Sequence, residues 1–113
     1  MEKYLLINSE QKNNITSYMP ESEQLSKIAD FFQNFSDPTR LKILSCLSMS
    51  ELCVNDLSNI LNINQTTISH QLKILKSQNL IKSRRNGKII NYSLSNIYIN
   101  EIMLYAVDNL KNL

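Results

Sequence analysis

Residues 54–94 read VNDLSNILNINQTTISHQLKILKSQNLIKSRRNGKIINYSL, and a change of period inside this stretch decides the fold. From Val54 or Asn55, the apolar residues Leu57, Ile60 and Leu61 recur at three- and four-residue steps, the spacing of one helical face. Asp56 suits the first turn of that helix, where the backbone dipole favours negative charge. Asn62-Ile63-Asn64 makes a short turn, and Asn64 is placed to cap a second helix that turns Ile68, Leu72 and Leu75 inward. After Asn79 the period shortens. Residues 80–84 and 89–94 are rich in β-branched and aromatic side chains and read as two strands. Asn86-Gly87 lies between them, a strong hairpin signal that uses the only glycine in the chain.

The flanks extend the same pattern. Ser36-Asp37-Pro38-Thr39 places a capping residue before a proline at the first helical position, so a helix starts there. It carries Leu41, Leu44 and Leu47 on one side and stops near Ser48-Met49-Ser50. Ahead of it, Leu25, Ile28, Ala29, Phe32 and Phe35 form a helical stripe that begins at Glu21. The first twenty residues are polar and aperiodic and read as an arm holding at most a short helix. Beyond the strands, a last helix from about Asn96 carries Ile99, Ile102, Met103, Ala106, Leu110 and Leu113 in one stripe. The expectation is a mainly α protein of five or so helices with a small β-hairpin wing, a winged helix-turn-helix. Its domain would run over 21–113 behind an arm at 1–20.

Composition narrows the function. The chain has 113 residues, enough for one domain, and its 42% hydrophobic content supplies a small core. One glycine and two prolines argue against a β-sandwich or barrel and against a glycine-rich phosphate cradle. The early apolar run Tyr4-Leu5-Leu6-Ile7 is far short of the ~20 residues that span a bilayer. No membrane partner is expected, and the protein is read as cytoplasmic. Cys46 and Cys53 are then expected as reduced thiols. With one histidine, His70, and no carboxylate cluster beyond Glu21 and Glu23, an enzyme is not expected.

The formal net charge of +2 hides an uneven partition. Residues 1–37 hold three lysines against six acids, and 38–64 balance. Residues 65–95 carry Lys73, Lys76, Lys82, Arg84, Arg85 and Lys88 with no acid at all. A one-signed segment in a near-neutral chain is the footprint of a polyanion binder. On the helix that opens it, Gln65, Thr66, Thr67, Ser69, His70 and Lys73 are the candidate DNA contacts, and Gln65, Thr66, Ser69, His70 and Lys73 are expected on the exposed side or its edge. Amide, hydroxyl and imidazole groups can exchange hydrogen bonds with base edges, and lysine can reach phosphate. The hairpin tip, Arg84-Arg85-Asn86-Gly87-Lys88, would touch backbone or an adjacent minor groove. His70 alone is a poorer candidate for a metal ligand than for a polar contact.

PTRLKIL (38–44), ELCVNDLSNILNINQTTISHQLKILKSQNLI (51–81) and RRNGKIINYSL (84–94) resemble the ArsR/SmtB family of bacterial transcriptional repressors, over most of the chain from about residue 24. The resemblance implies a homodimer that binds a double-stranded, palindromic operator and is released by an effector, often a metal ion. It also implies dimerisation through about 21–35 and 96–113, with Leu25, Ile28, Phe32, Ile99, Ile102, Met103, Ala106 and Leu110 at the seam. The effector sites depart from the family pattern. Where that pattern has two thiolates two residues apart, this chain has Cys53 followed by Val54 and Asn55, so Cys53 is a remnant of a thiolate site. At the positions of the family's Asp/His site stand Asn96, Tyr98, Asn109 and Asn112, poor metal ligands. No cofactor and no standard metal site is expected, and the effector stays open. Two alternatives stand beside this reading: a metal sensor with a non-standard ligand set, and a winged-helix module that binds a protein. Cys46 with Cys53 as a redox pair is a further option.

Overall fold

A computed structural model describes residues 6–111 of the chain, which divides into two units, 1–30 and 31–113. The first contains α1 (Ser9–Tyr18) and most of α2 (Ser22–Gln33). α1 is held at its start by a reciprocal cap: Gln11 N donates to Asn8 Oδ1 at 2.8 Å, and Asn8 N donates to Gln11 Oε1 at 3.0 Å. It buries no residue, so the polar arm does contain a helix, one without a core-facing side. In α2, Leu25 and Ile28 are exposed.

The second unit carries the remaining elements: α3 (Pro38–Met49), β1 (Leu52–Cys53), α4 (Val54–Leu61), α5 (Gln65–Ser77), β2 (Ile81–Asn86), β3 (Ile89–Leu94) and α6 (Ile97–Lys111). Its helix starts are those that short polar side chains dictate. Thr39 N donates to the Asp37 carboxylate ahead of α3, and Thr67 N to Asn64 Oδ1 ahead of α5. Tyr98 N and Ile99 N both donate to Asn96 Oδ1 ahead of α6. Asn62 ends α4 with φ 54°, a left-handed conformation that asparagine tolerates better than most residues.

Two features of the sheet differ from expectation. A third strand, β1, pairs with β3, giving the antiparallel order β1-β3-β2. The hairpin turn is also shifted by one residue: Asn86 pairs with Ile89, so the turn residues are Gly87 and Lys88, not Asn86-Gly87. Only Gly87 among them has positive φ, 65°, the sign pattern of a type II′ turn, which asks for glycine at its first position.

The core is formed by Ile43, Leu44 and Leu47 of α3, Leu57 of α4, Ile68, Leu72 and Leu75 of α5, Leu80 and Ile81 at the start of β2, and Ile99 and Met103 of α6. Phe31 and Phe35 pack against it, and the ring centroids of Phe31 and Phe32 stand 5.2 Å apart, edge to face. The inward side of α5 is as expected. Elsewhere the stripes rotate. In α3, Ile43 takes the buried place expected for Leu41, which is exposed. In α4, Ile60 is 60% exposed. Ile99 and Met103, expected at a dimer seam, are only 4% and 1% exposed within a single chain, because α6 lays that side on the core beside α3. Leu113 and Asn112, and the front of the early apolar run, lie outside the described residues. No helix among the described residues is long and apolar enough to cross a membrane.

Candidate nucleic-acid interface

α4 and α5 are joined by three residues, and burial of Leu57, Ile68, Leu72 and Leu75 sets which side of α5 faces out. That outer side presents Gln65, Thr66, Ser69, His70 and Lys73, all exposed, and no acid. Thr67 is half-buried and spends its N–H on the Asn64 cap. Gln65 is held in place: its Nε2 donates to Asn55 Oδ1 at 3.0 Å, which leaves its carbonyl oxygen to accept.

The wing stands beside this helix. Lys76 of α5 donates from Nζ to Ser83 Oγ of β2 at 2.7 Å, and a cleft of about 400 Å³ separates the start of α5 from the hairpin. Gln65 and Ser69 form one wall of the cleft; Lys88, Ile90 and Tyr92 form the other. Arg85, Asn86, Gly87 and Lys88 are exposed. Arg84 is also largely exposed, but its Nη2 lies 2.7 Å from Glu51 Oε1, just ahead of β1. Five expected contacts on α5 are thus exposed on the side that faces Lys88 of the hairpin across the cleft, with Thr67 set behind them and Arg84 turned to Glu51.

A polar network behind the helix was not anticipated from sequence. Arg40, in the first turn of α3, donates from Nε to Gln71 Oε1 of α5 at 2.9 Å and from Nη1 to Asn34 Oδ1 at 3.3 Å. Its Nε also lies 3.3 Å from the Asp37 carboxylate. Asn34 is only 3% exposed, and its Nδ2 donates to Phe31 O. The only sequence signal for this contact is an arginine three residues after an N-cap aspartate. Its partner thirty-one positions away leaves no local trace.

The expected effector positions hold other roles. Asn96 caps α6 with its amide oxygen, and Asn109 Nδ2 donates to Tyr105 O on its own helix. Among the described residues, no three His, Cys, Asp or Glu side chains come together as a metal site. Cys46 and Cys53 are free thiols that line different cavities, Cys46 beside Leu41 and Leu61, Cys53 in the cleft between α5 and the wing. Burial pushes the Cys46 thiol above its ordinary pKa.

Residues 37–83 match the model of the bacterial regulatory proteins of the arsR family. The chain is 35% identical to the transcriptional repressor SmtB homolog of Synechocystis sp. over 94% of this chain and 80% of that protein. It is 36% identical to the arsenical resistance operon repressor of Staphylococcus xylosus over 67% of this chain and 73% of that one. Among solved structures, NolR from Sinorhizobium fredii superposes with a TM-score of 0.69 at 31% identity, covering 80% of this chain and 94% of its own.

Proposed function

Because the chain belongs to the arsR family and is a winged helix-turn-helix, DNA-binding transcriptional regulator rather than an enzyme, we propose which parts of it read DNA and what releases it. α5 enters the major groove with Ser69, His70 and Gln65 toward base edges, and Lys73 and the wing tip lie along the backbone. The observation that supports this reading is the outer face of α5, which is polar, free of acid and set across a cleft from the basic hairpin. A second copy of the chain covers the exposed apolar side of α6, and the two-fold dimer binds a pseudo-palindromic operator, with half-sites set by the spacing of its two α5 helices. The effector is something other than a metal held at the family's usual positions. Amides at 96 and 109, engaged with their own helix, are poor donors for such an ion.

The test is binding to DNA from upstream of the protein's own gene against random duplex, measured over a range of salt. Affinity should fall steeply with salt on both. His70→Ala or Ser69→Ala should narrow the gap between operator and random DNA by ~1–3 kcal/mol for each base no longer read, leaving random binding almost unchanged. Equal weakening on both DNAs would move these residues from base readout to the backbone. Salt-independent binding, or none, would favour a protein partner for the winged helix. Release by stoichiometric zinc, cadmium, copper or arsenite would restore the metal-sensing alternative.

A further inference from the structure

Arg84 and Arg85 are neighbours in sequence and carry the same charge, yet the sheet sends them to opposite sides. Side chains alternate along a strand, so Ile81, Ser83 and Arg85 of β2 share one face, and Lys82, Arg84 and Asn86 share the other. Three observations identify the first face as the one turned to α5. Ile81 is buried in the core. Ser83 accepts from Lys76 of α5. Ile90 and Tyr92, which pair with Arg85 and Ser83, line the cleft together with Gln65 and Ser69, and from the other face only Ile89 beside the turn and Cys53 of β1 join them. The second face looks away: Lys82 and its partner Ser93 line a separate hollow together with Glu51. There Arg84 reaches across β3 to the Glu51 carboxylate, while Arg85 has no carboxylate partner among the described residues.

We propose that the two wing arginines divide their work: Arg85, with Lys88 at the turn, contacts the DNA backbone, and Arg84 is a positioning residue that ties the wing to the segment ahead of β1 through Glu51. The proposal rests on the DNA-binding reading given above and deepens it. A cation on the α5 side of the hairpin approaches the same duplex that α5 enters. A cation on the far side, already facing a carboxylate, would have to exchange one oxyanion partner for another and leave Glu51 behind as an unpaired negative charge near DNA. Arg84 therefore acts on DNA through the wing's position and not through its own charge.

The test is the salt dependence of operator binding by the full-length protein, wild type against Arg85→Gln, Arg84→Gln, Arg84→Glu and the charge-swapped double variant Glu51→Arg/Arg84→Glu. Each phosphate contact contributes ~0.9 to the slope of log affinity against log salt. Arg85→Gln should lower the slope by about that amount for each protomer engaged. Arg84→Gln should weaken binding while keeping the wild-type slope. Arg84→Glu should weaken it further, and the charge swap should recover most of that loss by restoring the tie with its polarity reversed. A slope that falls with Arg84→Gln as it does with Arg85→Gln overturns the division of labour, and so does a charge swap that recovers nothing. In both cases the wild-type slope stays steep, so DNA binding itself stands. A flat wild-type slope would instead overturn the DNA-binding reading and this proposal together.

Discussion

Gly87 is held at φ 65° with nothing within 4 Å of where a Cβ would sit, so the turn needs it for its backbone and not for space. A β-carbon at positive φ costs roughly 1–2 kcal/mol through contact with the residue's own carbonyl. Gly87→Ala should accordingly lower the unfolding free energy by about 1 kcal/mol and the melting temperature by roughly 4–8 °C for a domain of this size. Thermal unfolding checks this, and an unshifted melting curve would mean that the hairpin relaxes into another turn. The two cysteines illustrate the same point about what a position does. Cys53 stands at the N-cap of α4, where its N–H donates to the Asp56 carboxylate at 3.2 Å, and Cys46 has a thiol that burial keeps protonated. A protonated, half-buried thiol is a poor nucleophile, and the two open into different cavities, which argues against a sensing pair.

At the scale of elements, Arg40 joins three pieces of chain: the turn after α2, the start of α3 and the middle of α5. Arg40→Ala would take the Arg40 donor from Gln71 Oε1 in partly buried surroundings and break the link to Asn34, a loss of about 1–3 kcal/mol. Arg40→Lys should recover only part of it, since one ammonium cannot match the fork of the guanidinium across two partners. Chemical unfolding of the two variants gives the ranking, and equal stability of Arg40→Ala and wild type would dismiss the network as incidental. Contacts of this kind explain what could be read from sequence. The helix starts at Asp37-Pro38 and Asn64 and the inward side of α5 were legible because caps and periodicity are local. α3 presents Leu41, Ile43, Leu44 and Leu47, enough apolar residues for two overlapping faces, and only the packing of α4, α5 and α6 selects Ile43 over Leu41. β1 is two residues long and exists only because β3 pairs with it, so it has no period to detect. The turn slipped by one residue because strand register, set by Ile81 pairing with Leu94 at the buried end, outweighs the Asn-Gly preference at the tip. On the candidate interface, the outward residues of α5 followed directly from its inward ones. The tie from Arg84 to Glu51 did not, because it depends on a pairing across the whole sheet.

For the whole molecule, the open question is what covers α6. One side of that helix, Ile99 and Met103, is satisfied within the chain, yet Tyr98, Leu104, Tyr105, Val107 and Leu110 remain exposed around it. Tyr98, Ile102, Tyr105 and Ala106, with Glu101, border a shallow, mostly apolar hollow on this surface. So many large apolar side chains left exposed on one helix, with the hollow among them, favour a second copy as the cover. The division within α6 selects the residue that tests this. Ile102 is half-buried and adjoins Met103, so a charge there would disturb folding and association together. Tyr105 is 73% exposed and can carry a charge in the isolated chain without entering the core. In a two-fold seam the substitution enters both copies at once, so Tyr105→Glu would bury two like charges without partners, at a cost of several kcal/mol. Sedimentation should then show Tyr105→Glu as a folded monomer with a wild-type circular dichroism spectrum. Its binding to a full operator should fall toward that of a single half-site, because the second α5 is no longer tethered to the first. A wild-type sedimentation profile for Tyr105→Glu would remove this side of α6 from the interface.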